Sequence, residues 1–322
     1  TNTSFLPEGD TEATRALFKH VIVRESFDNI FLVNSNEEIV EIDNNGEVIG
    51  MYDSWRVEGG YNNTDNTLLD ITYDNNYIYM LTQTSSTAYS IDTFNYLTKE
   101  FTTYAGSPVL IDLPIETHNG INGRDIDSEY TVRNLIYVKD DPVVEGVTPT
   151  PRKVYLAKGD SIRAGSNKLW VLVKGDINIA TGVQSTHDII YGYNTIDEAL
   201  LLGHITDNNL SEPALQLAVA DYDVDSTGNI WIIHNSNVLT KLSSTRTPMF
   251  TRIIEDQLAL SLVFTKEIIS GLHIERLVVL AKTIGGDELS LPIVDHPTAR
   301  TSLAGEDYQQ ANATPVETTT YT

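Results

Sequence analysis

The stretch DYDVDSTGNIWIIHNS, residues 221–236, decides the fold. Aspartates at every second position lead into a glycine, and an apolar run that contains a tryptophan follows it. The pattern fits either a calcium-binding loop or a tight turn between two strands. The choice decides whether the stretch carries a metal site or belongs to a structural repeat.

The calcium loop fails at the two positions that it needs most. With Asp221 as its first position, the bidentate glutamate of position 12 would be Ile232, and the turn glycine of position 6 would be Ser226. The remaining interpretation is a hairpin. In it Asp225 and Ser226 bond to the local backbone, Gly228 has a positive φ, and Trp231 packs between sheets.

The same arrangement recurs along the chain. Each copy has an apolar run with one aromatic residue (Phe31, Tyr79, Trp170 or Trp231), an alternating strand, a polar corner and a third strand. Four copies cover residues 28–53, 76–101, 167–205 and 228–254, and weaker copies cover 133–160 and 275–295. Apolar lead-in strands are predicted at 20–26, 68–74, 215–225 and 258–267. Four antiparallel strands per copy at this spacing are typical of propeller blades.

The lead-in strand, the Asp-rich turn and the GNIW strand at 228–231 resemble the repeats of NHL-type and SMP-30-type β-propellers. The resemblance covers roughly residues 20–296, and residues 215–242 match best. It implies an all-β chain, a β-propeller of five or six blades with extended N- and C-terminal arms. We predict an N-terminal arm over 1–19, a propeller over 20–296 and a flexible C-terminal tail over 297–322, with one short helix at 10–20.

Charge restricts the partners. The net charge of −24 repels nucleic acid and anionic membrane surfaces, and we expect neither nucleic-acid binding nor membrane insertion. The same acidity is compatible with a saline, halophilic environment or with an ordinary acidic protein.

One candidate metal site remains. Asp221 and Asp223 alternate on a strand and therefore share a face, and Asp70 has a similar place in the second repeat. In a propeller the lead-in strand lines the central channel. Asp70, Asp221 and Asp223 are therefore candidate ligands of a channel cation such as Ca²⁺, the alternative being carboxylates solvated by channel water.

Catalytic motifs are missing from the sequence. The chain has no cysteine, no paired histidines at zinc spacing, no GxSxG and no glycine-rich phosphate loop. A lactonase of the SMP-30 type needs a Glu, two Asn and an Asp on one metal, and no such set can be assigned residue by residue. We therefore predict no catalytic residue, no cofactor and no enzymatic activity.

The sequence favours a binding or structural role in a larger assembly. Long polar loops are predicted at 61–67, 107–129, 140–152 and 175–186. The predicted function is a virion component, either a viral tail or a capsid-decorating protein, that contacts other protein subunits or a host surface protein or glycan during host attachment. The alternatives are a metal-dependent propeller hydrolase acting on sugars or lactones, and an extracellular or cell-surface binding domain.

Overall fold

The computed structural model describes residues 18–23, 29–34, 38–52, 67–85, 88–113, 133–139, 152–175, 177–178, 183–184, 188–205, 218–235, 237–253, 257–269, 272–283, 289–295 and 317–321. Every regular element in this part of the chain is a β-strand. No helix within it is long and apolar enough to span a bilayer.

Four-stranded antiparallel sheets dominate the structure, and in each the strands lie in chain order. Sheet A contains β1 (Phe18–Val23), β2 (Ile30–Asn34), β3 (Ile39–Ile42) and β4 (Val48–Tyr52). Sheet B contains β5 (Thr67–Tyr73), β6 (Tyr77–Gln83), β7 (Tyr89–Asn95) and β8 (Phe101–Thr103).

Sheet C is different. It has three strands in the order β10 (Arg133–Val138), β11 (Val154–Gly159) and β9 (Val109–Ile111), and β9 runs parallel to β11. The predicted weak repeat over 133–160 therefore supplies two strands of one sheet. The third strand comes from residues predicted to be a loop.

The next sheets return to the four-stranded pattern. Sheet D contains β12 (Ser161–Gly165), β13 (Lys168–Val173), β16 (Ile189–Asn194) and β17 (Ala199–Ile205). A small hairpin of β14 (Ile177–Asn178) and β15 (Val183–Gln184) is inserted after β13, within a predicted loop. Sheet E contains β18 (Val219–Val224), β19 (Ile230–His234), β20 (Val238–Leu242) and β21 (Pro248–Ile253).

Sheet F contains β22 (Gln257–Ile269), β23 (Leu272–Thr283), β24 (Leu289–Asp295) and β25 (Glu317–Tyr321). Strand β25 pairs with β24 and lies within 297–322, the predicted tail. The other residues of that tail lie outside the described part of the chain.

Contacts divide the chain into two compact units. One comprises Thr1–Ile111 and Arg133–Lys158, and the other comprises Asp112–Val132 and Gly159–Thr322. In the first unit, apolar clusters join sheet A to sheet B and sheet B to sheet C. In the second, clusters join sheet D to sheet E and sheet E to sheet F. Neighbouring sheets thus bury their apolar faces against each other, as meander sheets must.

The all-β prediction of blade-type, four-stranded antiparallel sheets is confirmed. The number of blades stays a prediction, as does the single domain over 20–296. The predicted helix at 10–20 is wrong at its end, because Phe18–His20 belong to β1, which pairs with β2. Its remaining residues lie outside the described ranges.

The strands differ from the prediction at two other places. The third strand of the second copy, residues 76–101, is predicted over its final segment YLTKEF, residues 96–101, but only Phe101 belongs to a strand, β8. Asn95 accepts hydrogen bonds from the amides of Leu97 and Thr98, and this turn uses the residues before β8. The lead-in strand of sheet D, β12, is not among the predicted strands, because its sequence SIRAG contains only one large apolar side chain, Ile162.

Candidate functional site

The stretch DYDVDSTGNIWIIHNS contains most of β18, the turn after it and β19, and Asp225 organises that turn. The fully buried Asp225 carboxylate accepts hydrogen bonds from the amides of Thr227 and Asn229, from both of their side chains, and from Trp231 Nε1 at 3.0 Å. Gly228 has φ +84°. The hairpin interpretation is confirmed for Asp225 and Gly228, and also for Trp231, which packs against sheet F.

Ser226 differs from its prediction. Its amide and hydroxyl both donate to the Glu275 carboxylate on β23, with the hydroxyl at 2.7 Å. The residue therefore links sheet E to sheet F.

Asp221 and Asp223 lie on β18, the first strand of sheet E. Asp221 Oδ2 accepts from the Ser261 hydroxyl at 2.6 Å and the Leu262 amide at 3.0 Å. Asp223 Oδ2 accepts from the Phe264 amide at 3.1 Å. These donors belong to β22, the first strand of the next sheet.

The spacing explains this arrangement. β22 lies at the edge of its sheet, so alternate backbone N–H groups have no strand partner within that sheet. Carboxylates at alternate positions of β18 point the same way and meet these groups two residues apart. The aspartates thus satisfy polar backbone that would otherwise be left unpaired at a sheet-to-sheet junction.

Asp70 occupies the same place in the first unit. It follows a β-bulge in β5, as Asp221 follows one in β18. Its Oδ2 accepts from the Ile136 amide of β10 at 3.0 Å, and Thr72 Oγ1, two residues on, accepts from the Val138 amide at 3.3 Å. The equivalence of Asp70 and Asp221, inferred from the repeat, holds in the hydrogen bonding.

The structure brings Asp221 and Asp223 together on one strand, while Asp70 belongs to the other unit. The described residues contain no group of three or more His, Asp or Glu side chains that could hold a metal ion. The channel cation site stays a prediction, and a calcium titration tests it.

The two carboxylates of β18 have different electrostatic surroundings. Burial raises the pKa of Asp223, against the hydrogen bonds from the amides of Val224 and Phe264. Arg163 on β12 places its Nη2 3.8 Å from Asp221 Oδ1 and its guanidinium carbon 5.8 Å from the centre of the Tyr222 ring. The two carboxylates therefore lie between a cation on one sheet and backbone donors on the next.

A second junction joins sheets D and E through Asp188. This buried carboxylate accepts from the amides of Gly175 and Val219, both at 2.7 Å, and its Oδ2 lies 3.5 Å from Lys174 Nζ. Burial raises the pKa of Asp188, and Lys174 opposes that change. Sequence reasoning missed this residue, although an aspartate directly before the buried strand IIYGYN was a usable signal.

A third ionic site, also missed, joins sheets A and B. The buried Glu41 carboxylate of β3 accepts from Asn29 Nδ2 at 2.7 Å, from the Tyr52 hydroxyl at 2.8 Å and from Lys99 Nζ at 2.8 and 2.7 Å. Burial alone would raise the pKa of Glu41, but the hydrogen bonds from Lys99, Tyr52 and Asn29 outweigh it and lower that pKa. A glutamate that faces the core opposite Phe31 was the signal in the sequence.

No protein-family model matches the chain, and no curated protein matches its sequence. Among solved structures, the chain is similar to the β-propeller domain of Cps50 (Swd1) from Myceliophteria thermophila. The identity is 8%, the match covers 90% of this chain and 69% of that one, and the TM-score is 0.39. It is also similar to BamB from Moraxella catarrhalis, with 9% identity, coverage of 80% and 53% respectively, and a TM-score of 0.31.

Proposed function

We propose that this chain is a non-enzymatic structural and binding subunit of a larger assembly. The specific form of the proposal is a tail or capsid-decorating protein of a virion that contacts other subunits or a host surface. The observation that carries it is the set of exposed apolar side chains on the fourth strands of sheets A, D and E. These are Val48, Ile49 and Met51 on β4, Leu200 on β17, and Met249 and Ile253 on β21.

The exposure of these apolar side chains indicates a surface that another chain covers in an assembly. Each of these strands lies at the end of its sheet, with one edge unpaired among the described strands. Apolar side chains beside an open strand edge promote association with another chain. Protein contacts in an assembly would bury both.

The acidic groups at the turns and sheet junctions support a structural role. Asp188, Asp221, Asp223 and Asp225 each accept backbone N–H groups at turns or sheet junctions. Their oxygens are used to hold sheets and turns together.

The test uses an antibody against the purified chain. We expect the chain to sediment with intact particles in the source material and to cross-link to neighbouring subunits through β4. In the purified chain, Ile49→Lys/Met51→Lys should abolish re-association with particles and leave the melting temperature unchanged.

The matched control is Leu97→Lys, at an exposed apolar residue in the turn before β8 rather than on a fourth strand. It should leave re-association intact. Absence of the chain from particles, or lactone or ester hydrolysis by the purified chain at an enzymatic rate, would overturn the proposal.

A further inference from the structure

The ionic site between sheets A and B has the composition of a cation receptor. Its walls belong to sheet A or to the residue before β2: Asn29, Phe31, Glu41 and Tyr52. Asn29 donates to Glu41 Oε1 and the Tyr52 hydroxyl donates to Oε2, so the carboxylate is held from both sides. Phe31 is almost fully buried, and its ring forms one wall.

The cation comes from the neighbouring sheet. Lys99 lies in the turn before β8 and has φ +60°. Its Nζ contacts both Glu41 oxygens and lies 5.1 Å from the centre of the Phe31 ring and 5.5 Å from that of Tyr52. The Lys99 side chain remains 31% exposed, so its path to solvent is open.

The geometry selects one class of cation. A single nitrogen donates to both carboxylate oxygens while two ring faces flank it, which suits a compact ammonium group. A guanidinium group is wider and planar, and it binds a carboxylate through two separate nitrogens.

We propose that Asn29, Phe31, Glu41 and Tyr52 form a receptor for a primary alkylammonium group, the class of the lysine side chain. In this structure Lys99 fills it from sheet B. All four residues belong to sheet A or its flank, and the rings of Phe31 and Tyr52 also pack against Tyr96 and Phe94. None of these contacts involves Lys99, so the receptor stays assembled when the Lys99 side chain is removed. This inference does not depend on the proposed role in an assembly.

The test is chemical rescue of Lys99→Ala. We expect this variant to melt several degrees below the unmodified chain, because a buried carboxylate loses its counter-charge. Propylammonium chloride at roughly 0.1 M should raise its melting temperature in a saturable way, since a ligand that binds only the folded state stabilises it. Sodium chloride and tetramethylammonium chloride at the same ionic strength should give a smaller and non-saturable change.

Three variants complete the experiment. The unmodified chain should show no propylammonium-specific rise, because Lys99 occupies the receptor, and Lys99→Ala/Glu41→Gln should show none because the carboxylate is gone. Lys168→Ala is the matched control: Lys168 also links two sheets, but its Nζ donates to the Ser244 carbonyl. Its melting temperature should not respond to propylammonium.

If Lys99→Ala does not fold in sodium chloride, its refolding yield in propylammonium against sodium becomes the measurement. A higher yield with propylammonium supports the receptor. Equal effects of the three salts on Lys99→Ala, or an equal propylammonium effect on Lys168→Ala, would overturn it.

Discussion

Asp225 shows how one side chain can fix a turn and a sheet junction together. Its carboxylate holds the backbone of the turn and the indole of Trp231, while Lys241 Nζ lies 4.8 Å above the centre of the same ring. Burial lowers the pKa of Lys241 to about 8, and Asp225 opposes that shift. Turn, aromatic ring and buried cation therefore depend on one residue.

Replacing Asp225 by Ala should destabilise the chain by about 3–5 kcal/mol, because buried donors and a buried cation lose their partner. Urea unfolding of the purified variant measures this. Asp43→Ala is the control, since Asp43 accepts the Asn45 and Glu47 amides in a similar but exposed turn. Its effect should be much smaller, and equal losses in the two variants would contradict the role given to burial.

The residue opposite Trp170 has no room for a side chain. Gly192 pairs with Trp170, and a Cβ on Gly192 would lie 2.7 Å from Trp170 Cζ3 and 2.6 Å from Leu201 Cδ1. Gly192→Ala should therefore cost about 1–3 kcal/mol through overpacking. Calorimetry should show the loss, and Gly192→Ala/Leu201→Ala should recover only part of it because the Trp170 contact remains.

His234 gives the stability a pH dependence. Its Nε2 lies 2.9 Å from Thr240 Oγ1, and burial lowers its pKa from 6.5 to about 4. The unfolded chain therefore binds a proton between pH 6.5 and about 4 that the folded chain does not, and stability falls as the pH falls through this window.

We expect His234→Gln to lose less stability than the unmodified chain between pH 6.5 and 4. The difference should approach about 3 kcal/mol at the acid end. Unfolding curves at several pH values measure it. Parallel profiles for the two proteins would show that His234 is not the group responsible.

At the scale of elements, aspartate carboxylates link the first strand of one sheet to the first strand of the next through hydrogen bonds. Asp221→Ala/Asp223→Ala should leave the Leu262 and Phe264 amides of β22 without their acceptors. Hydrogen exchange at these two amides should accelerate about tenfold or more. The Ile232 amide, within sheet E, should change far less, and equal acceleration at all three would indicate global destabilisation instead.

The sequence predicted the elements better than it predicted their junctions. Periodicity locates β19 and β20 because a strand alternates whatever its neighbours are. The partners of Asp188 and of Glu41 depend on which sheets become neighbours. The periodicity of the sequence gives no information on that. The repeat placed Asp70 and Asp221 at equivalent positions, but it did not identify backbone amides as their partners.

At the scale of the whole molecule, net charge governs the response to salt. A chain with a net charge of −24 repels itself, and the screening length falls from about 30 Å at 0.01 M salt to about 3 Å at 1 M. Raising sodium chloride over this range should increase the melting temperature by several degrees. A flat or falling profile would contradict the prediction.

Calcium chloride at matched ionic strength extends the same experiment to the predicted cation site. If the site exists, calcium should raise the melting temperature further than sodium does, and Asp221→Asn should remove this additional rise. An identical response to sodium and calcium rejects it.

Phe31, Tyr79, Trp170 and Trp231, the aromatics of the four main copies, lie opposite Glu41, Thr93, Gly192 and Lys241 respectively. The same position opposite the ring is therefore filled by an acid, a hydroxyl residue, a glycine and a base in the four sheets. A designer who rebuilt the chain from identical copies of sheet E would bury a lysine in every sheet. The sheets share one strand order, but the residue opposite the aromatic is specific to each of them. One sheet therefore cannot be substituted for another.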